Sequence, residues 1–454
     1  MVVTPMSVHA PDIQSVVAGH LCCGCGACAA AAPERYRMVD VTDCGLRPRG
    51  DGTDGDGGRG AAEQKAAVDR GAAEREAVSV CPGAHLARPA IPEDQLGGRR
   101  SYRVWGPILE VREGAAADPD IRFEASSGGA ATALALYGIE AGGMHGVLHV
   151  CAREDDPVRN RPTFSRTREE LLAATGSRYA PAGPCEAVRF IEEAAGPCVF
   201  IGKPCDVAGV RKLAARRPKL AAHLGLTIAF FCAGTPSTAA TLTLLQQMGV
   251  PPGAEVLSLR YRGRGWPGHA AVEYGNGDGG RARVECSYDE SWGAVLQKHR
   301  QWRCYICPDH LGECADIAVG DAWHRSLSEG QPGLSVMVAR TPRGQAFLAR
   351  ARQAGYLTTT GVPYRVLEGC RPGHAAWLGN LHGRLMTLRL LGVSIPRYEG
   401  FSLDELWRTE LSPCAKARAV LSTVKRIYVK KLRVPLRVDA DGTRRPWWRL
   451  MYRW

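Results

Sequence analysis

CVFIGKPCDVAGVRKLAARRPKLAAHLGLTIAFFCAGTPSTAATLTLLQQM, residues 198–248, is the stretch on which the fold turns. Cys198–Ile201 and Leu226–Phe231 are short apolar runs of strand length, whereas Asp206–Ala215 and Pro236–Met248 space their apolar residues for a helix face. Strand, helix, strand, helix in immediate succession predicts parallel strands covered by helices. The same beat extends upstream, with a helix over Ala130–Ala141 ending at Gly142-Gly143, a strand over Gly146–Cys151 and a helix near Glu186–Ala194. Downstream of Pro252 the rhythm changes. VLSLRYRG, AAVEY and ARVECSY read as strands, the last two joined by a hairpin around Asn276–Gly280. Strands Ile317–Val319 and Val336–Ala339 and a helix over Arg343–Ala354 close this part. The expected class is mixed α/β with a mostly parallel sheet, an added hairpin and no internal repeat.

Composition sets outer limits. The chain has 454 residues, 45% hydrophobic and 23% charged, values of a soluble globular protein with two or three domains. No run approaches the ~20 apolar residues of a membrane span, and the first residues lack the basic-then-apolar signal pattern, so a cytoplasmic protein is expected. Two features need a location: 17 cysteines, and a formal charge of +12. The charge is local, because Lys416–Trp454 holds twelve Lys/Arg against Asp439 and Asp441, or +10 of the +12. Its interleaved Trp447, Trp448, Tyr452 and Trp454 suit an anionic membrane surface, peripheral at the inner membrane face. An acidic electron-transfer partner or packing on the body competes with that reading, and nucleic acid ranks third.

The cysteines fall into two sets. Cys22-Cys23-Gly24-Cys25-Gly26-Ala27-Cys28 carries C-x2-C-x2-C, which lets three thiolates converge on one iron–sulfur cube. A ferredoxin run continues to a fourth Cys before Pro, but here Ala32 precedes Pro33, so a fourth ligand must come from the distant Cys81-Pro82. Cys22, Cys25, Cys28 and Cys81 are therefore the expected [4Fe-4S] ligands of a small ferredoxin-like head. A zinc knuckle or buried thiols are the alternatives. The head spans 1–98 with a flexible insertion at 49–71. In the core, Cys205 and Cys232 stand at or just past the C-terminal ends of two predicted strands, the edge at which α/β sheets build sites. Cys304-x2-Cys307 from a later loop could join them, with Cys314 as a competitor, and zinc or redox chemistry stays open for this set.

These residues, with SSGGAATALALYGIEAG, GSRYAP, IGKPCDVAGVRKL, FFCAGTPS and CYICPDHLGECADIAVGDAW, resemble the beta-subunit family of coenzyme F420 hydrogenases and dehydrogenases over Leu21 to Thr360. The resemblance implies an FAD-containing oxidoreductase with two [4Fe-4S] clusters, the second on Cys205, Cys232, Cys304 and Cys307, and makes Cys314 an ordinary thiol. It implies flavin contacts at Ser127, Gly128, Gly129 and Thr132, where small residues before a helix expose N–H groups to a phosphate. It implies others at Gly176, Ser177, Arg178 and Tyr179, with Arg178 on the pyrophosphate and Tyr179 on a ring; Gly320 and Asp321, after a strand and close to Cys307, are expected to line the flavin–cluster junction, with Asp321 a proton-relay candidate and a strand-ending turn the alternative. FAD belongs between a two-electron partner and one-electron clusters. That partner is expected to be coenzyme F420, with NAD(P)H as a rival, and ferredoxin or another redox protein stands at the far end. No catalytic acid–base pair is identifiable, and His299, His310 and His324 read as solvated or capping residues. The core divides into 99–250 and 251–375, followed by a helical, basic extension over 376–454. The competing functions are an electron-transfer subunit with no substrate of its own and a zinc-stabilised polyanion-binding protein.

Overall fold

The computed structural model describes residues 11–50, 71–90, 99–277, 279–326 and 328–438. An eight-stranded sheet runs through the body, in the order Leu357–Gly361, Glu110–Ala116, Ser335–Ala339, Ile317–Asp321, Leu224–Phe230, Cys198–Gly202, Gly146–Ala152, Asn160–Ser165. Its centre is parallel, linking the strands that begin at Ile317, Leu224, Cys198 and Gly146. The remaining four neighbour pairs are antiparallel, so the sheet is mixed and the expected parallel character holds only at its middle. The cause lies in the connections. Helices Pro204–Ala214 and Ala130–Glu140 carry the chain back for a parallel return. Gly146–Ala152 and Asn160–Ser165 have no helix between them and must turn back antiparallel. Central strands are buried on both faces, Val199, Phe200, Leu226, Ile228 and Ile317 being fully enclosed.

Helix Thr238–Gln247 lies where the pattern places it, whereas Pro218–His223 is a short helix the apolar pattern does not mark. The helix near Glu186–Ala194 is broken into a 3-10 turn, Pro184–Ala187, and one turn of α-helix, Arg189–Glu192. The hairpin around Asn276–Gly280 pairs Ala270–Gly275 with Arg281–Cys286, and Val256–Arg260 adds a third antiparallel strand.

The cysteine-rich head reads from sequence as a separate small unit, and the packing departs from that. Ile13, Val17, Leu21 and Tyr36 share one hydrophobic cluster with Trp302, Leu381, Leu388, Ile427 and Leu436. Strand His85–Ala87 pairs in parallel with Arg397–Glu399 from the C-terminal extension. Helices His374–Leu390 and Pro413–Val429 thus close over the head. Residues 51–70 of the expected insertion and the tail from 439 lie outside the described residues. No helix among the described residues is long and apolar enough to cross a membrane.

Candidate functional site

A cavity of about 350 Å³ opens beside the C-terminal ends of the central strands. One wall is the turn Ser126–Gly129. Gly129 takes a left-handed φ of 74°, which ends the turn and starts helix Ala130–Glu140 without a side-chain cap. The helix's first backbone bond runs from Ala133 N to Gly129 O, leaving the N–H groups of Ala130, Ala131 and Thr132 without an intrahelical acceptor at the cavity. Ser127 Oγ donates to Leu334 O at 2.9 Å and Gly128 N donates to Ser335 Oγ at 2.9 Å, pinning the turn to strand Ser335–Ala339. Ser177 N donates to Ser126 Oγ at 2.6 Å. Two motifs some fifty residues apart are thereby joined on one rim, with Gly176, Ser177, Arg178 and Tyr179 beside Ser127, Gly129 and Thr132, whereas Gly128 faces away from the cavity and packs against Gly114 and Ser335.

Their roles are not uniform. Arg178 borders the cavity, yet its Nε, Nη1 and Nη2 donate to Asn160 Oδ1, Leu259 O and Pro157 O, so it braces the rim rather than presenting a free fork to a pyrophosphate. Tyr179 packs against Trp292 with ring centres 4.8 Å apart. Asp321 is held by Arg262 through two bonds of 3.0 and 2.8 Å and accepts from Trp266 Nε1 at 3.2 Å. Burial opposes the Arg262 charge, but Asp321 outweighs it and holds the guanidinium above its ordinary pKa. Asp321 therefore anchors a wall. Tyr288 and Trp323 complete that wall, with the Arg262 guanidinium 4.8 Å from the Tyr288 ring centre.

The sequence reading missed Arg262, Tyr288, Trp323 and Lys203. Lys203 and Trp323 carried a signal, their places in the GKPC run and at the end of the CYICPDHLGECADIAVGDAW run, whereas Arg262 and Tyr288 carried none. Lys203 lines the cavity and donates to Asp206 Oδ2 at 2.7 Å and Ala182 O at 3.0 Å. Burial acts against its charge, yet Asp206 and, next, Cys205 hold its pKa above the ordinary lysine value. His310 is buried at the cavity and hydrogen-bonded to Arg371, and burial followed by that cation lowers its pKa well below the ordinary value. It is not the solvated or capping residue expected. His324 is paired with Glu113 instead.

Both cysteine sets come together. Cys22, Cys25, Cys28 and Cys81 are buried and within electrostatic reach of one another. Cys205, Cys232, Cys304 and Cys307 are half-buried and form the second group, with Cys232 in the cavity wall. Burial pushes the thiols of Cys81 and Cys232 up to about 12, as it raises the buried thiols outside the two sets, such as Cys198. Among the described residues no three His, Cys, Asp or Glu side chains converge closely enough to hold one metal ion. A [4Fe-4S] cube binds each thiolate through a separate iron, so it does not require three thiols to meet at one point. Gly24 N donates to Cys22 Sγ at 3.3 Å and Thr235 N to Cys304 Sγ at 3.4 Å. Cys23, left out of both sets, turns to Cys205, and Cys25 touches Cys185. Cys314 is buried apart, its thiol directed at Ala87 O.

Two adjoining segments match the family models for the N-terminal and C-terminal parts of "Coenzyme F420 hydrogenase/dehydrogenase, beta subunit", the first over residues 111–189 and the second over 197–363. The chain belongs to the coenzyme F420 hydrogenase/dehydrogenase beta-subunit family. Coenzyme F420 hydrogenase subunit beta of Methanococcus voltae is 27% identical over 255 residues, 54% of this chain and 82% of that protein. The Methanothermobacter thermautotrophicus protein of the same name is 26% identical over 60% of this chain and 89% of its own length. F420-dependent formate dehydrogenase 1 subunit beta of Methanococcus maripaludis is 25% identical over 56% and 62%. A chain in the F420-reducing [NiFe] hydrogenase complex of Methanosarcina barkeri overlays with a TM-score of 0.46 at 20% identity, covering 79% of this chain and all of that one. In this beta-subunit family member, the matched segments contain the cavity turns and the second cysteine set. The first set, at 22–81, lies outside them.

Proposed function

We propose that the chain is an iron–sulfur flavoprotein oxidoreductase that passes electrons between coenzyme F420 and two [4Fe-4S] clusters through FAD, with ferredoxin or another redox protein as the outer partner. The observation that carries this reading is the shared wall: Cys232 borders the same cavity as the open N-terminus of helix Ala130–Glu140. Ser127, Gly129 and Thr132 would border the flavin phosphates, with the N–H groups at the start of helix Ala130–Glu140 as donors, while Gly128, its own N–H bonded to Ser335 Oγ, holds the turn in place. Tyr179, Tyr288 and Trp323 would pack on rings, and the Arg262–Asp321 pair keeps that wall in place. Cys22, Cys25, Cys28 and Cys81 would hold the outer cluster, and Cys205, Cys232, Cys304 and Cys307 the inner one. Bound FAD would supply the conversion between two-electron and one-electron transfer. Lys203 lies between cavity and thiols, a fixed positive charge beside both. The relatives' names, F420 hydrogenase and F420-dependent formate dehydrogenase subunits, support F420 as the two-electron partner.

The test is anaerobic purification with reconstitution. FAD, about four irons and four labile sulfides per thiol quartet, and reduction by the deazaflavin but not by NAD(P)H are expected. Zinc without labile sulfide would overturn the reading. The relatives are named as subunits, which favours a second reading, an electron-transfer subunit without its own substrate. Reduction by ferredoxin alone, with no reaction with the deazaflavin, would establish it.

A further inference from the structure

One buried cation acts on cysteines of both quartets. Arg303 stands on the short helix Trp302–Tyr305, next to Cys304, and is 3% exposed. Its Nη2 donates to Pro82 O at 3.1 Å, and its guanidinium lies 5.3 Å from the Tyr398 ring centre. Its Nε and Nη1 are buried and make no hydrogen bond of ordinary geometry, the nearby Tyr398 phenol offering at most a weak acceptor while it donates to Ile306 O. A fully enclosed guanidinium ordinarily has its donors satisfied, so two orphaned nitrogens point to an acceptor outside the polypeptide. Apart from the Tyr398 phenol, its strongest electrostatic neighbours are sulfurs: Cys23, Cys307 and Cys205. Cys22, of the outer quartet, lies within its field as well. No carboxylate stands among those neighbours, in contrast to Arg262 with Asp321 and Arg88 with Glu313.

We propose that Arg303 is a positioning residue shared by the two clusters, its free N–H groups donating to cluster sulfur and its charge favouring the state that holds one more electron. The inference rests on the assignment of the two quartets made above. A fixed cation beside a cluster raises its reduction potential, as do hydrogen bonds to the sulfurs. Within reach of two clusters, one guanidinium does this for both and sets their relative potentials. Arginine suits the task because its planar fork has donors on more than one edge, which a lysine ammonium on a flexible stem does not offer in fixed geometry.

The experiment is an EPR-monitored redox titration of the reconstituted full chain and of Arg303→Gln, Arg303→Met and Arg303→Lys, with iron and sulfide content measured alongside. The Gln and Met variants are expected to keep their iron and to hold the added electron on the inner cluster about tenfold more weakly, a midpoint ~59 mV lower for a one-electron couple. The Lys variant should fall between them and the parent. Loss of iron from Gln and Met with retention by Lys would equally support a required charge. Parent midpoints in Gln or Met, or loss of iron from the Lys variant as well, would overturn the proposal. A parent protein that takes up no iron defeats the cluster assignment instead, so the two failures are distinct.

Discussion

Gly320 and His149 show how single positions shape the cavity. A Cβ on Gly320 would lie 2.0 Å from a ring carbon of Phe231, a contact no small shift relieves. Gly320→Ala should destabilise the protein by about 1–3 kcal/mol through overpacking and weaken flavin retention, read as a lower Tm and FAD loss on gel filtration; an unchanged Tm would contradict this. His149 is buried at the cavity with its Nε2 2.8 Å from Ser165 Oγ, and burial lowers its pKa to about 4. The unfolded chain takes up this proton near pH 6.5, whereas the folded one resists it until about pH 4. The neutral ring's contribution is therefore complete above pH 6.5 and declines as pH falls towards 4, by on the order of 3 kcal/mol. His149→Gln should flatten the fall in urea midpoint between pH 7 and 4.5; a slope equal to the parent's would refute the assignment. The position of Gly320 was legible from its strand-ending GD pair, but nothing around His149 marks it as enclosed.

Among the elements, the hydrogen bond from Ser177 N to Ser126 Oγ is what makes two turns into one rim. Ser126→Ala removes the acceptor. With a net hydrogen-bond contribution of about 1 kcal/mol, FAD affinity should drop roughly fivefold with secondary structure unchanged by circular dichroism. Equal affinity in a fluorescence titration would show that the rim forms without this bond. The central strands and their crossover helices were readable because apolar periodicity is local. The antiparallel margins of the sheet were not, since they depend on what the connections do. Arg178 illustrates the same limit: a cation near a glycine turn suggests an anion site, and only the arrival of Asn160 and Leu259 from other strands turns it into a brace.

Across the entire protein, a buried ion pair locks head to core. Arg88, just after strand His85–Ala87, pairs with Glu313, both side chains fully enclosed, and also donates to Tyr102 O at 2.8 Å and Arg103 O at 3.0 Å. Arg88→Met strands a buried carboxylate and should cost about 3–5 kcal/mol, much of it recovered in the Arg88→Met/Glu313→Leu double variant. Chemical denaturation would report both, and a double variant no more stable than the single one would count against the pair. The head thus moves with the body, which keeps both thiol quartets within reach of Arg303. The order of residues alone settles the thiol spacings, the strand and helix beat of the core, and the concentration of charge in the C-terminal tail, because each is a property of neighbours along the chain. Folding in three dimensions is what turns Cys23 to Cys205, brings Arg262 and Trp323 to the cavity wall, and buries the Arg303 guanidinium, without a carboxylate partner, within reach of cysteines of both quartets. Those contacts join residues far apart in sequence, and close packing, not local periodicity, brings them together.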